Sequence, residues 1–263
     1  MTPFADGRLI LHQARVARIE INAPDRRNAM SRAMWHAIPL ICDRIEADPG
    51  IRAVLLTGAA EVGATFSAGA DITEFEDVYA TSEATTAYNA MVRRAQARLR
   101  ILDRPVIAVV AGACVGGGCG LALAADLRFA APEARFGITA ARLGLGYSPE
   151  DTAQLMEKVG PARAKDLLFS ARLIAAEEAL AIGLIERILP AATLLQEATN
   201  YADGLAELSS LSIRATKAAI NQLTSPDAAV CADLNARFVA GFESLDFKEG
   251  CTAFMNRKKP VFD

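Results

Sequence analysis

From Pro105 to Ala125 the chain runs 21 residues without a charge and carries five glycines, three of them consecutive at Gly116, Gly117 and Gly118. A helix of that length could cross a bilayer, but glycines this dense would destabilise an isolated membrane helix. A buried strand, a tight turn and a helix of small side chains would instead require them. No second apolar run of this kind follows, so no membrane partner is expected. Composition points the same way: 52% hydrophobic and 22% charged residues are ordinary for a globular chain and exclude disorder. The 263 residues approach the upper limit for one hydrophobic core. A net charge of −3 lacks the strongly basic balance that a nucleic-acid partner demands. Residues 1–20 hold Asp6, Arg8, Arg15 and Arg18 among short apolar stretches, so no signal peptide is expected. Cys42, Cys114, Cys119, Cys231 and Cys251 form no CxxC pair and have no histidine cluster nearby. They read as reduced thiols of a cytoplasmic protein, with no metal site.

Around the charge-free run, short β-rich segments alternate with amphipathic helices. Arg15–Ile21 alternates apolar and polar residues and predicts a strand, and Asn22–Asn28 a loop. Ser31 is placed to cap a helix reaching about Ala47, with Met34, Ile38, Ile41, Cys42 and Ile45 on one face. Asp48-Pro49-Gly50 ends it. Arg52–Gly58, Val106–Ala111 and Leu127–Ala130 predict strands, and Gly118–Ala125 a helix. Thr85–Leu102 predicts another helix, with Tyr88, Met91, Val92, Ala95 and Leu99 inward. Repeated strand–helix units imply α/β architecture. From Gly160 the character turns helical: Pro161 suits a first helical position, Ala175–Ile182 ends at Gly183, and Pro190 closes the next segment. The expected organisation is a core over residues 1–191 and a helical region over 192–263.

Only His12 and His36 are present, so a histidine-based triad or metal site has little to draw on. Catalysis should therefore come from the backbone and from carboxylates. The run Gly112–Gly120 follows a strand and opens a helix, where phosphate loops occur, yet it holds neither Gly-Lys-Ser/Thr nor GxGxxG spacing. Gly144-Leu145-Gly146 fails as well, because Pro149 stands at the third glycine position. A nucleotide-dependent enzyme is thereby disfavoured. The glycines serve either a close helix–strand crossing or the approach of the Gly117 amide, at a helix N-terminus, to a substrate oxygen. A second small-residue segment, Ser67-Ala68-Gly69-Ala70, lies between a strand and a turn that Asp71 could cap. Two such loops could present two N–H groups to one carbonyl oxygen, as an oxyanion hole.

With these segments in view, the sequence resembles the crotonase superfamily, the enoyl-CoA hydratase/isomerase family, over nearly its whole length. The likeness rests on Asn22–Ser31, Phe66–Phe75, Val110–Leu123, Phe136-Gly137 with Leu143-Gly144-Leu145, the stretch from Gly160 to Gly183-Leu184-Ile185, and the tail from Glu249 to Phe262. In this order and spacing the motifs are highly specific. The resemblance implies a core of ββα spiral turns followed by a helical trimerisation region, assembled as a homotrimer or a hexamer. It implies an acyl-CoA or enoyl-CoA thioester substrate, with coenzyme A as part of the substrate and no tightly bound cofactor. The family's two oxyanion-hole amides fall on Ala70 and Gly117. Its CoA contacts fall on Arg27, Ala29, Ala68, Asp71 and Ile72, with Phe254 and Arg257 in the tail.

The pattern departs from the family at two places. Family hydratases carry one glutamate directly after the Gly-Gly-Gly-Cys run, here Gly120, and another four residues after Phe-Gly, here Ala140. Neither residue can transfer a proton. Enolate chemistry such as isomerisation, decarboxylation or hydrolysis therefore fits better than standard hydration. Tyr147 matches a tyrosine of some decarboxylating relatives and is the first candidate for handling the proton. Glu74, beside Asp77, and Glu150, beside Asp151, are the further acidic candidates, against plain solvated or capping roles. Arg93, Arg94, Arg98 and Arg100, with Arg104 beyond, read as an exposed face. The alternative to an enzyme is a homologue that binds acyl-CoA without turnover.

Overall fold

The computed structural model describes residues 1–59, 65–143 and 145–224, with a few single positions beyond them. Its strands are β1 (Thr2–Phe4), β2 (Leu9–His12), β3 (Val16–Ile21), β4 (Ala53–Gly58), β5 (Val106–Val110), β6 (Ala113–Val115), β7 (Leu127–Ala130), β8 (Arg135–Gly137), β9 (Ile174–Ala175) and β10 (Arg187–Ile188). Its helices are α1 (Arg32–Glu46), α2 (Phe75–Val78), α3 (Ser82–Arg100), α4 (Gly117–Leu123), α5 (Pro149–Ser170), α6 (Ala176–Ala181), α7 (Leu194–Ala206) and α8 (Ser210–Leu223).

The main sheet runs β1-β2-β3-β4-β5-β7-β10, antiparallel through β3 and parallel from there on. A second sheet joins β6, β8 and β9. Strict alternation in the central strands decides what covers each face. Val54, Leu56, Val106, Ala108 and Val110 join the large core with α1 and α3. Leu55, Ile107, Val109 and Phe129 instead pack under Leu194, Ala198 and Ala202 of α7. A parallel sheet covered on both faces needs these near-continuous apolar runs.

The charge-free run is thus β5, β6 and α4 in succession. Among the described residues no helix is long and apolar enough to cross a membrane. The Ser31 hydroxyl caps α1 as expected, accepting the Met34 N–H at 3.4 Å. Gly160, at φ +76°, breaks α5, and the helix resumes at Pro161. One surface expectation fails: Arg104 is 2% exposed, because its Nε donates to the Ile51 carbonyl at 2.5 Å. The Ile51 carbonyl, just ahead of the central strand β4, gives that guanidinium an interior partner. Arg98, only partly exposed, pairs with Asp43 and Glu46 of α1, so it too is held rather than free in solvent.

Candidate functional site

Two small-residue loops meet at the carboxyl ends of the central strands. Ser67 joins β6 by a two-bond bridge, its N–H donating to the Ala113 carbonyl at 3.1 Å and its carbonyl accepting the Val115 N–H at 2.9 Å. On its other side the loop pairs with the segment before α1. Ala68 N–H donates to the Arg27 carbonyl (3.0 Å), Met30 N–H to the Gly69 carbonyl (2.7 Å), and Asp71 N–H to the Met30 carbonyl (3.0 Å). Gly69, at φ +105°, makes the bend. A β-carbon there would lie 2.9 Å from the Val115 carbonyl oxygen and 3.2 Å from the Gly117 nitrogen. A β-carbon on Gly117 would lie 3.4 Å from the Ala70 nitrogen. The amides of residues 70 and 117 therefore come together where side chains are absent. Among the described residues neither N–H has an acceptor. Gly117 opens α4, where the first N–H groups lack helical partners by construction.

The CoA candidates sit along the outer edge of this junction. Arg27 and Ala68 are exposed, Ala29 is half-buried, and Ile72 is an exposed apolar side chain at 68%. Asp71 differs from these. It is 3% exposed and caps the short turn at Ile72–Glu74, accepting the Thr73 N–H at 3.0 Å and pairing with Arg26. Burial alone would raise its carboxyl, but hydrogen bonds from Thr73 and the Arg26 guanidinium outweigh it and hold it below the usual value. Phe254 and Arg257 lie outside the described residues.

One helical turn beyond Gly117 stands Gly120. A β-carbon there would lie 2.5 Å from Nε2 of Gln96, 3.0 Å from the Tyr147 hydroxyl and 3.2 Å from Oδ1 of Asp151. Polar heads from α3, from the loop before α5 and from α5 itself thus converge on the place a side chain would occupy. Gln96 is 2% exposed, Asp151 6% and Gln154, one turn along α5, 8%. Gln96 Nε2, the Tyr147 hydroxyl, Asp151 Oδ1 and Gln154 Oε1 are all enclosed without a hydrogen-bond partner among the described residues. Such atoms are costly to bury unpaired. Burial pushes the Asp151 carboxyl up, Glu150 adds repulsion, and the neighbouring polar side chains of Ser148 and Gln96 offset only part of this. Burial likewise pushes the Tyr147 hydroxyl far up, with Asp151 and the buried thiols Cys119 and Cys114 adding to it.

The acidic candidates are occupied elsewhere. Glu74 accepts the Arg32 N–H at the start of α1, 2.8 Å away. Glu150 is about half exposed and pairs with Arg93 at 3.0 Å. Ala140 is half-buried in the short turn Ala140–Leu143. Sequence reasoning did not single out Gln96 or Gln154 and weighed Asp151 only beside Glu150. One signal was present: Gln96 stands between Ala95 and Leu99, a polar residue on the apolar stripe of its helix. Both histidines have other roles, His12 paired with Glu20 at 2.8 Å and His36 on the exposed face of α1.

A family profile described as enoyl-CoA hydratase/isomerase matches residues 12–263. A Thermus thermophilus protein, provisionally named an enoyl-CoA hydratase, is 37% identical over 256 residues, covering 96% of this chain and 99% of its own. A short-chain-enoyl-CoA hydratase of Clostridium acetobutylicum is 34% identical over 94% of each chain. Among solved structures, a protein from Hyphomonas neptunium, provisionally assigned to the same family, superposes with a TM-score of 0.93 at 40% identity, covering 97% of both chains.

Proposed function

This chain belongs to the enoyl-CoA hydratase/isomerase family, and on that premise we propose that it turns over an acyl-CoA or enoyl-CoA thioester through an enolate held by the Ala70 and Gly117 amides. The observation that carries this reading is the meeting of two unpartnered backbone N–H groups at glycine-cleared positions. Donors fixed beforehand where an oxyanion develops need no reorganisation, and one such donor is worth about 10²–10³ in rate. Arg27, Ala29, Ala68 and Ile72 form the edge along which the CoA moiety lies, while Asp71 holds that edge in shape through Arg26 and Thr73. CoA enters with the substrate, and no tightly bound cofactor takes part. The 192–263 region joins subunits as a trimer or a dimer of trimers, and the protein works in the cytoplasm.

Standard hydration needs two carboxyl groups to deliver the parts of water. Gly120 and Ala140 supply neither, and Glu74 and Glu150 are engaged at a helix end and with Arg93. The favoured chemistry therefore does not add water across the double bond: isomerisation first, then decarboxylation or thioester hydrolysis. The test is a comparison of but-3-enoyl-CoA isomerisation with crotonyl-CoA hydration, alongside Gly117→Pro. Proline is tolerated at a first helical position and removes the N–H. Isomerisation should exceed hydration and fall by about 10²–10³ in the variant. Hydration as the faster wild-type reaction would refute the preference. A second reading, acyl-CoA binding without turnover, draws on the same missing glutamates. It predicts tight acyl-CoA binding and no product from either thioester.

A further inference from the structure

We propose that Asp151 is the base that takes the α-proton of the bound thioester, working from the space over Gly120, where Gln96 and Tyr147 stand beside it. The inference rests on the enolate reading above and adds the group that reading lacks. Three observations support it. Gly120 is three residues after Gly117, so its face of α4 is the one that carries the Gly117 end of the oxyanion pair, about one turn away. The three heads over Gly120 come from separate elements, and Gly120 is the residue that leaves them room: its β-carbon would lie within 3.2 Å of all three. Asp151, Gln96 and Tyr147 also leave atoms enclosed and without partners among the described residues, an arrangement that a purely structural cluster would pair internally.

The step balances simply. The Cα–H bond breaks, its proton passes to Oδ1 of Asp151, and its electron pair forms the Cα–C double bond. The carbonyl π electrons move onto oxygen, where the Ala70 and Gly117 N–H groups receive the charge. Exchange follows when the Asp151 carboxyl trades the abstracted proton with solvent and a solvent-derived one returns to Cα; in a 3-enoyl thioester, delivery to Cγ gives the 2-enoyl isomer. No water is added to the substrate, and no oxidant or metal enters. A buried carboxylate whose proton affinity is raised by its surroundings is the stronger base for this work.

The experiment follows deuterium entering the α-position of butanoyl-CoA in heavy water, with acetoacetyl-CoA binding as a separate readout of the oxyanion pair. The wild type should bind acetoacetyl-CoA and exchange butanoyl-CoA. Asp151→Asn should lose exchange at least a hundredfold while its acetoacetyl-CoA affinity stays within about threefold. Asp151→Glu should recover at least tenfold over Asp151→Asn, which a merely structural role would not produce. Gly120→Ala, which displaces the heads without altering a carboxyl group, should lower exchange at least tenfold and guards against a folding defect in the aspartate variants. Asp151→Asn exchanging at the wild-type rate overturns the assignment alone. A wild type that binds acetoacetyl-CoA yet exchanges nothing also overturns it and leaves the oxyanion pair standing. A wild type that binds no CoA thioester overturns the enolate reading and this assignment with it.

Discussion

Asp71 and Asp151 are both nearly enclosed, yet their circumstances are opposite. Asp71 receives the Thr73 N–H and hydroxyl and the Arg26 guanidinium, and its carboxyl sits below the usual range. Asp151 leaves Oδ1 without a partner, and its carboxyl sits above that range. A carboxylate satisfied by its neighbours stabilises a fold, whereas one kept unsatisfied costs stability and retains its affinity for a proton. The first lies at the edge of the loop junction that shapes the site. The second stands among the polar heads that crowd the space over Gly120. Burial by itself therefore says little about a carboxylate's purpose; what it is bonded to says much more.

That contrast can be broken in several ways. Asp71→Ala removes a turn cap and an ion pair together and should cost about 2 kcal/mol, lowering Tm by roughly 5 °C in a thermal melt. Its loss should track acid as well: the stability Asp71 contributes is present at neutral pH and disappears as pH falls through its depressed pKa, below the reference of 3.8. A variant as stable as the wild type would show that Asp71 is not part of the scaffold. Gly120→Ala should reduce thioester turnover about tenfold, or ~1.4 kcal/mol in barrier, with a smaller change in Tm, because the displaced atoms are the ends of side chains. Equal losses in both would place the polar heads in the scaffold instead.

The sharpest sign difference belongs to Asp151→Asn. A raised folded pKa means that ionised Asp151 opposes folding above that pKa, so the neutral amide should raise Tm at pH 7 as it lowers exchange. The gain should shrink as pH falls and vanish below 3.8, where the wild-type carboxyl is protonated both folded and unfolded. Melts of both proteins from pH 8 down to below 3.8 would check this, and a variant destabilised at pH 7 would contradict it. Glu150, Ser148 and Gln96 bear on the charge of Asp151, and Gln96 and Tyr147 stand beside it over Gly120. Glu150→Gln should have the smallest effect, with turnover within a factor of two, because its pair with Arg93 is exposed and such pairs are weak.

Most of the architecture was legible along the chain because its signals are local. Ser31 capped its helix, Gly183 ended another, and the alternation in β4 and β5 placed alternate residues in two cores. Arg104 was misread because its partner, the Ile51 carbonyl, is distant in sequence. The backbone half of the proposed site was also legible, since an amide that must approach a ligand requires small residues nearby, and Ser67–Ala70 and Gly116–Gly118 advertise that need.

The side-chain half was not. By itself the sequence determined where glycine and alanine clear the main chain, and that Gly120 and Ala140 bring no acid to the site. Only the tertiary structure decided what fills the space over Gly120, because Gln96, Tyr147 and Asp151 reach it from segments up to 55 residues apart in number, meeting only when α3 and α5 pack beside α4. Backbone chemistry is written in short runs because it depends on what neighbouring residues lack. Side-chain chemistry depends on what distant residues reach, and packing alone settles that.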